Sequence, residues 1–115
     1  MDILRLVDTQ NEVIDREERK FASSLHTRFN QKLEMCAKKG LPLYVTVRHK
    51  TYYNCVNRPE HNIYYGSRIS TICRFKVVAE LLRKMYKFHP RIKIEATYDE
   101  ITIRLIAERN NNNEA

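Results

Sequence analysis

From Val13 to Lys39 the chain contains neither glycine nor proline, and Phe21, Leu25, Phe29 and Leu33 recur at every fourth position. That spacing returns each side chain to one side of a 3.6-residue helix, and Ile14, Ala22, Cys36 and Ala37 flank the same side. The segment predicts one long amphipathic helix. Thr9 or Asn11 caps its start, Glu12 and Asp15 suit the positive end of its dipole, and Gly40 stops it. Its first turns, rich in Asp, Glu and Arg, have little to bury and are expected to project into solvent or toward a partner. Residues Asp2 to Asp8 read as either a brief edge strand or a helical lead-in.

A helix with one apolar stripe needs a second surface to cover it, and the next segment supplies a strand. Leu43, Val45 and Val47 alternate with Tyr44, Thr46 and Arg48, the period of a half-buried strand over Leu41 to Lys50. Odd positions make an aliphatic face; even positions, continued by Lys50 and Tyr52, make a cationic and aromatic one. Thr51 to Arg68 reads as a hairpin, with Tyr52–Val56 facing Asn62–Ser67 across an Asn-Arg-Pro-Glu turn, or else as a mobile loop. Ser67 or Ser70 then caps a second helix running to His89-Pro90. Its broad stripe of Ile72, Cys73, Val77, Val78, Leu81, Leu82 and Met85 suits packing on a sheet. Lys76, Glu80, Arg83, Lys84 and Lys87 are expected to face out, Lys84 and Lys87 also suiting the helix's negative end.

Arg91–Thr97 and Ile101–Glu108 read as a hairpin in which Tyr98 opposes Ile101. That register sets Ile92, Ile94 and Ala96 against Ala107, Leu105 and Ile103 on one face. On the other it pairs Glu95 with Arg104, Arg91 with Glu108 and Thr97 with Thr102. The Asp99-Glu100 turn lacks the glycine that a two-residue loop prefers, so a longer turn is the alternative.

The elements predict an α+β fold, a two-layer sandwich with a small mixed or antiparallel sheet covered on one face by two helices. One domain spans residues 1–109, and the asparagine-rich 110–115 reads as a flexible tail. In element order alone the chain is similar to Alba proteins and to the C-terminal domain of bacterial initiation factor three. Both are nucleic-acid binders, and no motif is matched residue by residue.

At 43% hydrophobic residues the chain of 115 has the make-up of a globular domain rather than a disordered one. Its formal charge of +7 is unevenly spread. Residues 1–20 hold six acids and four bases, whereas Lys38 to Lys93 hold thirteen bases against Glu60 and Glu80. Such asymmetry favours an anionic partner. Two aspartates in the first ten residues argue against a signal peptide or mitochondrial presequence, and no apolar run has the length of a membrane span. With three cysteines, an odd number without a short pairing motif, the chain is read as intracellular with reduced thiols, cytoplasm and nucleus not being distinguished.

Exposed tyrosines among cations suit nucleic acid, because bases stack on rings while ammonium and guanidinium groups hold phosphates. The expected surface is Tyr44, Arg48, Lys50, Tyr52, Tyr53, Arg58, Tyr64, Tyr65 and Arg68, with Lys93 and Arg104 adjoining. Lys76, Lys84 and Lys87 are auxiliary phosphate contacts, and RNA is favoured slightly over DNA. The second reading is an assembly module in which Phe21, Leu25, Phe29 and Leu33 meet another protein or a second copy. Cys55, His61 and His49 share one loop but lack CxxC or HxxxH spacing, so no metal site is expected. A nucleophile elbow, a Walker loop and a dinucleotide fingerprint are all missing, and a His49–Glu60 acid/base pair has nothing to fix its geometry. The chain is read as non-enzymatic, without a cofactor and without a membrane partner.

Overall fold

The computed structural model of the protein describes residues 2–55 and 58–106. The expected tail at 110–115 and the partners Ala107 and Glu108 of the expected hairpin lie outside the described residues, as does Val56. The chain forms α1 (Ile3–Lys38), β1 (Tyr44–His49), 3₁₀ turns at Lys50–Cys55 and Pro59–His61, β2 (Asn62–Tyr65), α2 (Ser67–Ile72), α3 (Phe75–Met85), β3 (Ile92–Ala96) and β4 (Ile101–Leu105). The strands make one mixed sheet in the order β2-β1-β4-β3, giving the expected α+β fold.

The long helix begins earlier than the expected caps at Thr9 or Asn11. Asp2 caps it instead, its carboxylate accepting from the Leu4 amide at 3.0 Å, so the ambiguous Asp2–Asp8 segment is helical. At the other end Gly40 takes φ +70°. The Leu41 amide reaches the Cys36 carbonyl at 2.8 Å and the Gly40 amide reaches Ala37 at 3.1 Å. Those two bonds satisfy carbonyls that the helix end leaves open, and they turn the chain into β1.

The core lies between α1, α3 and one face of the sheet. Phe21, Ala22, Leu25 and Phe29 of α1 and Phe75, Val78, Ala79 and Leu82 of α3 pack with Val45, Val47, Ile63, Tyr65, Ile94, Ile101 and Ile103. Each strand sends every second side chain inward, which is why the alternation was readable.

Three expected elements take another form. Residues 51–68 do not make a hairpin, because β2 runs parallel to β1, with Val47 beside Ile63 and Arg48 beside Tyr64. Parallel neighbours need a long crossover, and the 3₁₀ turns at Lys50–Cys55 and Pro59–His61 lie within it. Lys32 donates to the Pro59 carbonyl, Lys39 pairs with Glu60 at 2.8 Å, and the Cys36 thiol lies 3.5 Å from the Glu60 carbonyl. Those ties carry the crossover back along α1 before β2 starts. The strand also ends at His49, so Lys50 and Tyr52 lie on a 3₁₀ turn rather than on its outer face.

The second helix is two helices, capped at Gly66 and Arg74 rather than at Ser67 or Ser70, and the latter ends at Met85. The break falls where buried Glu18 takes the Arg74 amide at 2.7 Å, the donor that an uninterrupted helix would keep for its own ladder. The same carboxylate accepts from Arg74 Nε and a terminal guanidinium nitrogen, both at 2.9 Å. Beyond α3, Lys87 and Phe88 have φ of +56° and +51°.

The last hairpin has the expected faces but not the expected register. Ile92, Ile94 and Ala96 oppose Leu105, Ile103 and Ile101, while Lys93 opposes Arg104 and Glu95 opposes Thr102. The register is displaced by two residues, which leaves every side chain on its face. The cause is the turn. The Thr97 amide donates to the Glu100 carbonyl at 2.9 Å, and Thr97 Oγ1 receives the Asp99 and Glu100 amides at 3.4 and 3.1 Å. A wider loop thereby forms without the glycine that a two-residue turn would require.

Candidate functional site

The sheet face turned away from the helices is organised in rows across the strands. One row runs Lys93–Arg104–Tyr44, the next Glu95–Thr102–Thr46–Asn62, and the third pairs Arg48 with Tyr64. Arg48 is half-buried and held from both sides, its Nε on Asn62 Oδ1 and a terminal nitrogen on Glu100, each at 2.8 Å. The Thr46 and Thr102 hydroxyls meet at 3.0 Å in the middle row. Tyr44 stacks flat on the buried His61 ring, with centroids 4.1 Å apart and planes 2° from parallel. His61 Nδ1 lies 2.8 Å from the Tyr44 carbonyl, which makes that nitrogen the protonated one. Lys93 and Arg104 are exposed, and no carboxylate among the described residues pairs with either.

Around the free edge of β2 the face continues into an open pocket of about 540 Å³. Tyr53, Asn54, Pro59, Asn62, Ile63 and Tyr64 line one side, and Arg28 and Lys32 reach it from α1. The two cations are one helical turn apart, beside the apolar stripe but outside it. Tyr53 stands edge-on to Tyr64 at 5.2 Å and is 66% exposed, so a flat ring remains accessible. The pocket thus joins two cations and two aromatic rings at one concave site.

Several expected contacts fall elsewhere. Tyr65 is buried, its hydroxyl donating to the Asp99 carbonyl at 2.6 Å, and burial beside Asp99 raises its pKa to about 12. It is a core residue, not a stacking one. Tyr52 and Lys50 are exposed on the 3₁₀ turn and Arg58 is exposed before the next one. Exposed Arg68 lies on α2, 3.8 Å from Glu17 of α1. Lys76 and Lys84 lie on the solvent side of α3, and Lys87 follows that helix; none of the three lines the pocket. Sequence reasoning missed Arg28, Lys32, Asn54 and Asn62. The signal for the first two was their four-residue spacing beside Phe29 and Leu33.

Phe21, Leu25 and Phe29 are buried in this chain's own core, with Leu33 packed against it. Turning such a side chain out to meet a partner would forfeit about 1.5–3 kcal/mol of burial each. That stripe is therefore not the helix's free surface. Cys55, His61 and His49 are not brought together, since no group of three His, Cys, Asp or Glu that could hold a metal ion occurs among the described residues. Glu60 pairs with Lys39 while His49 lies 3.0 Å from the Thr51 hydroxyl, so they form no acid/base couple. Among the described residues no helix is long and apolar enough to cross a membrane.

No protein-family model, no curated protein and no solved structure matches this chain. The expected likeness in element order to Alba proteins and to the initiation-factor domain finds no support in these comparisons, and the chain opens on a helix rather than a strand.

Proposed function

We propose that the protein is a small non-enzymatic nucleic-acid binder that holds single strands, RNA ahead of DNA, across its outer sheet face. The observation that carries this reading is the pocket at the β2 edge, where Arg28 and Lys32 converge with Tyr53 and Tyr64. The path runs from that pocket past Arg48 and Tyr44 to Arg104 and Lys93. Four strands span roughly 14 Å, room for about two or three nucleotides on a sheet of this width. Tyr53 and Tyr64 stack bases, while Arg28, Lys32, Lys93 and Arg104 neutralise phosphates. Lys50, Tyr52, Arg58 and Arg68 extend the contact at its margin, and Lys76, Lys84 and Lys87 add charge from the far side that speeds encounter.

Single strands are preferred because a duplex hides its base faces, leaving the tyrosines nothing to stack on. The three free cysteines, two of them buried, fit a reducing intracellular compartment.

Fluorescence-anisotropy titration with labelled single-stranded RNA, double-stranded RNA and double-stranded DNA at two salt concentrations tests the proposal. Single strands should bind most tightly, with affinity falling linearly in log salt. Equal affinity for all three forms would remove the stacking surface, and no binding at low salt would remove the function.

A further inference from the structure

Residues 3–12 of α1 are all exposed. Ile3 and Leu4 are 73% and 74% accessible, and Leu6 and Val7 50% each. The first residues of α1 tied to another element, among those described, are Asp15, Glu17 and Glu18, through Arg74 and Arg68. The start of the helix is thus an arm extending beyond the packed body, consistent with a longest dimension of 68 Å against 33 and 20 Å. A free helix of about a dozen residues is marginal in water. This one carries four large apolar side chains that nothing among the described residues covers.

We infer that the arm pairs antiparallel with the same arm of a second copy. Ile3, Leu6, Gln10 and Val13 fall at the a and d positions of a heptad, with Val7 and Ile14 beside them. Antiparallel alignment sets Ile3 against Val13 of the second copy and Leu6 against Gln10 in the seam, with the two Val7 side chains flanking it. Val13 and Ile14 are half-buried where the arm joins the body, so the partner's Ile3 completes their cover.

Charge selects this occupant and this direction. At the flank of that seam the same alignment brings Asp2 within reach of Arg16 of the other copy, and symmetry repeats the pair. Parallel alignment offers no such pair. The bodies sit at opposite ends of the paired arms, so both outer sheet faces stay open. Two short arms bury less than the roughly 1,200 Å² of a stable interface. The dimer is therefore weak, with Kd on the order of 10–100 µM.

Sedimentation velocity on the full chain after nuclease treatment, from roughly 5 to 500 µM, tests the inference. The wild type should shift from monomer to dimer across that range. Leu6→Glu with Val7→Glu should remain monomeric with an unchanged melting temperature, because neither side chain belongs to the core. Arg16→Glu should raise Kd about tenfold by facing Asp2, and adding Asp2→Asn, which keeps the helix cap and removes the like charge, should recover most of that loss. A wild type that stays monomeric overturns the inference. So does assembly indifferent to Leu6→Glu and Val7→Glu, or an Arg16→Glu defect that Asp2→Asn leaves unrepaired, the mark of an arm docking on a basic body.

Discussion

Lys93 and Arg104 face each other directly across β3 and β4, and among the described residues neither has an acidic partner. Like charges directly opposite on a sheet destabilise it, so this pair costs the fold something unless an anion lies over it.

Lys93→Glu should therefore separate stability from binding. It creates a cross-strand ion pair with Arg104 and should stabilise the free protein by about 0.2–1 kcal/mol in urea unfolding. The same change should weaken single-stranded RNA and lower the salt slope by about one to two. A variant that binds as tightly as the wild type would take this row out of the interface.

Glu18 should act as an acid-side anchor of the fold. Burial alone would raise its pKa, but the hydrogen bonds and charge of Arg74 outweigh it and hold the carboxyl below its usual value of 4.5. A carboxylate depressed in the folded state contributes stability that is complete above the unfolded value and lost as pH falls through the folded one. Glu18→Gln should cost about 1–2 kcal/mol at neutral pH. The gap to wild type should close below about pH 4.5. Thermal melts of both proteins from neutral pH to about pH 3 check this. A gap that does not depend on pH would assign the loss to packing instead.

Two positions with the same backbone sign should respond oppositely. Gly40 has φ +70°, and a Cβ there would meet nothing within 4 Å, so Gly40→Ala carries only the conformational penalty of about 1 kcal/mol. Lys87 sits at φ +56° with a side chain that disfavours that region, and Lys87→Gly should stabilise by about 0.5–1 kcal/mol. Chemical denaturation of the two variants reads both signs.

Much of the fold was legible because side-chain period survives tertiary context. The α1 stripe, the inward Val45 and Val47 of β1, and the faces of the β3–β4 hairpin all follow from spacing. What escaped depended on contacts far apart in sequence. Nothing near Cys73 announces that Glu18 breaks the second helix by taking the Arg74 amide, and nothing near Asn62 announces that Lys32 and Lys39 direct the crossover. The hairpin register slipped by two because its loop is closed by the Thr97 hydroxyl, a side-chain device with no periodic trace. The site was half readable. Tyrosines in residues 52–65 marked the loop, but Tyr65 is told from Tyr64 only by sharing the parity of Ile63, which counts once β2 is known to be a strand, and Arg28 joins the pocket only once β2 is parallel.

The most direct test of the central claim is a chemical-shift map of the amides in the ¹⁵N-labelled protein, titrated with a short single-stranded RNA. Shifts should concentrate at Tyr53, Asn54, Asn62 and Tyr64, continue to Arg104 and Lys93, and weaken when Tyr53→Ala removes about 1–3 kcal/mol of stacking. Shifts confined to Lys76, Lys84 and Lys87 beside a silent β2 edge would contradict the account and leave only a basic helix face.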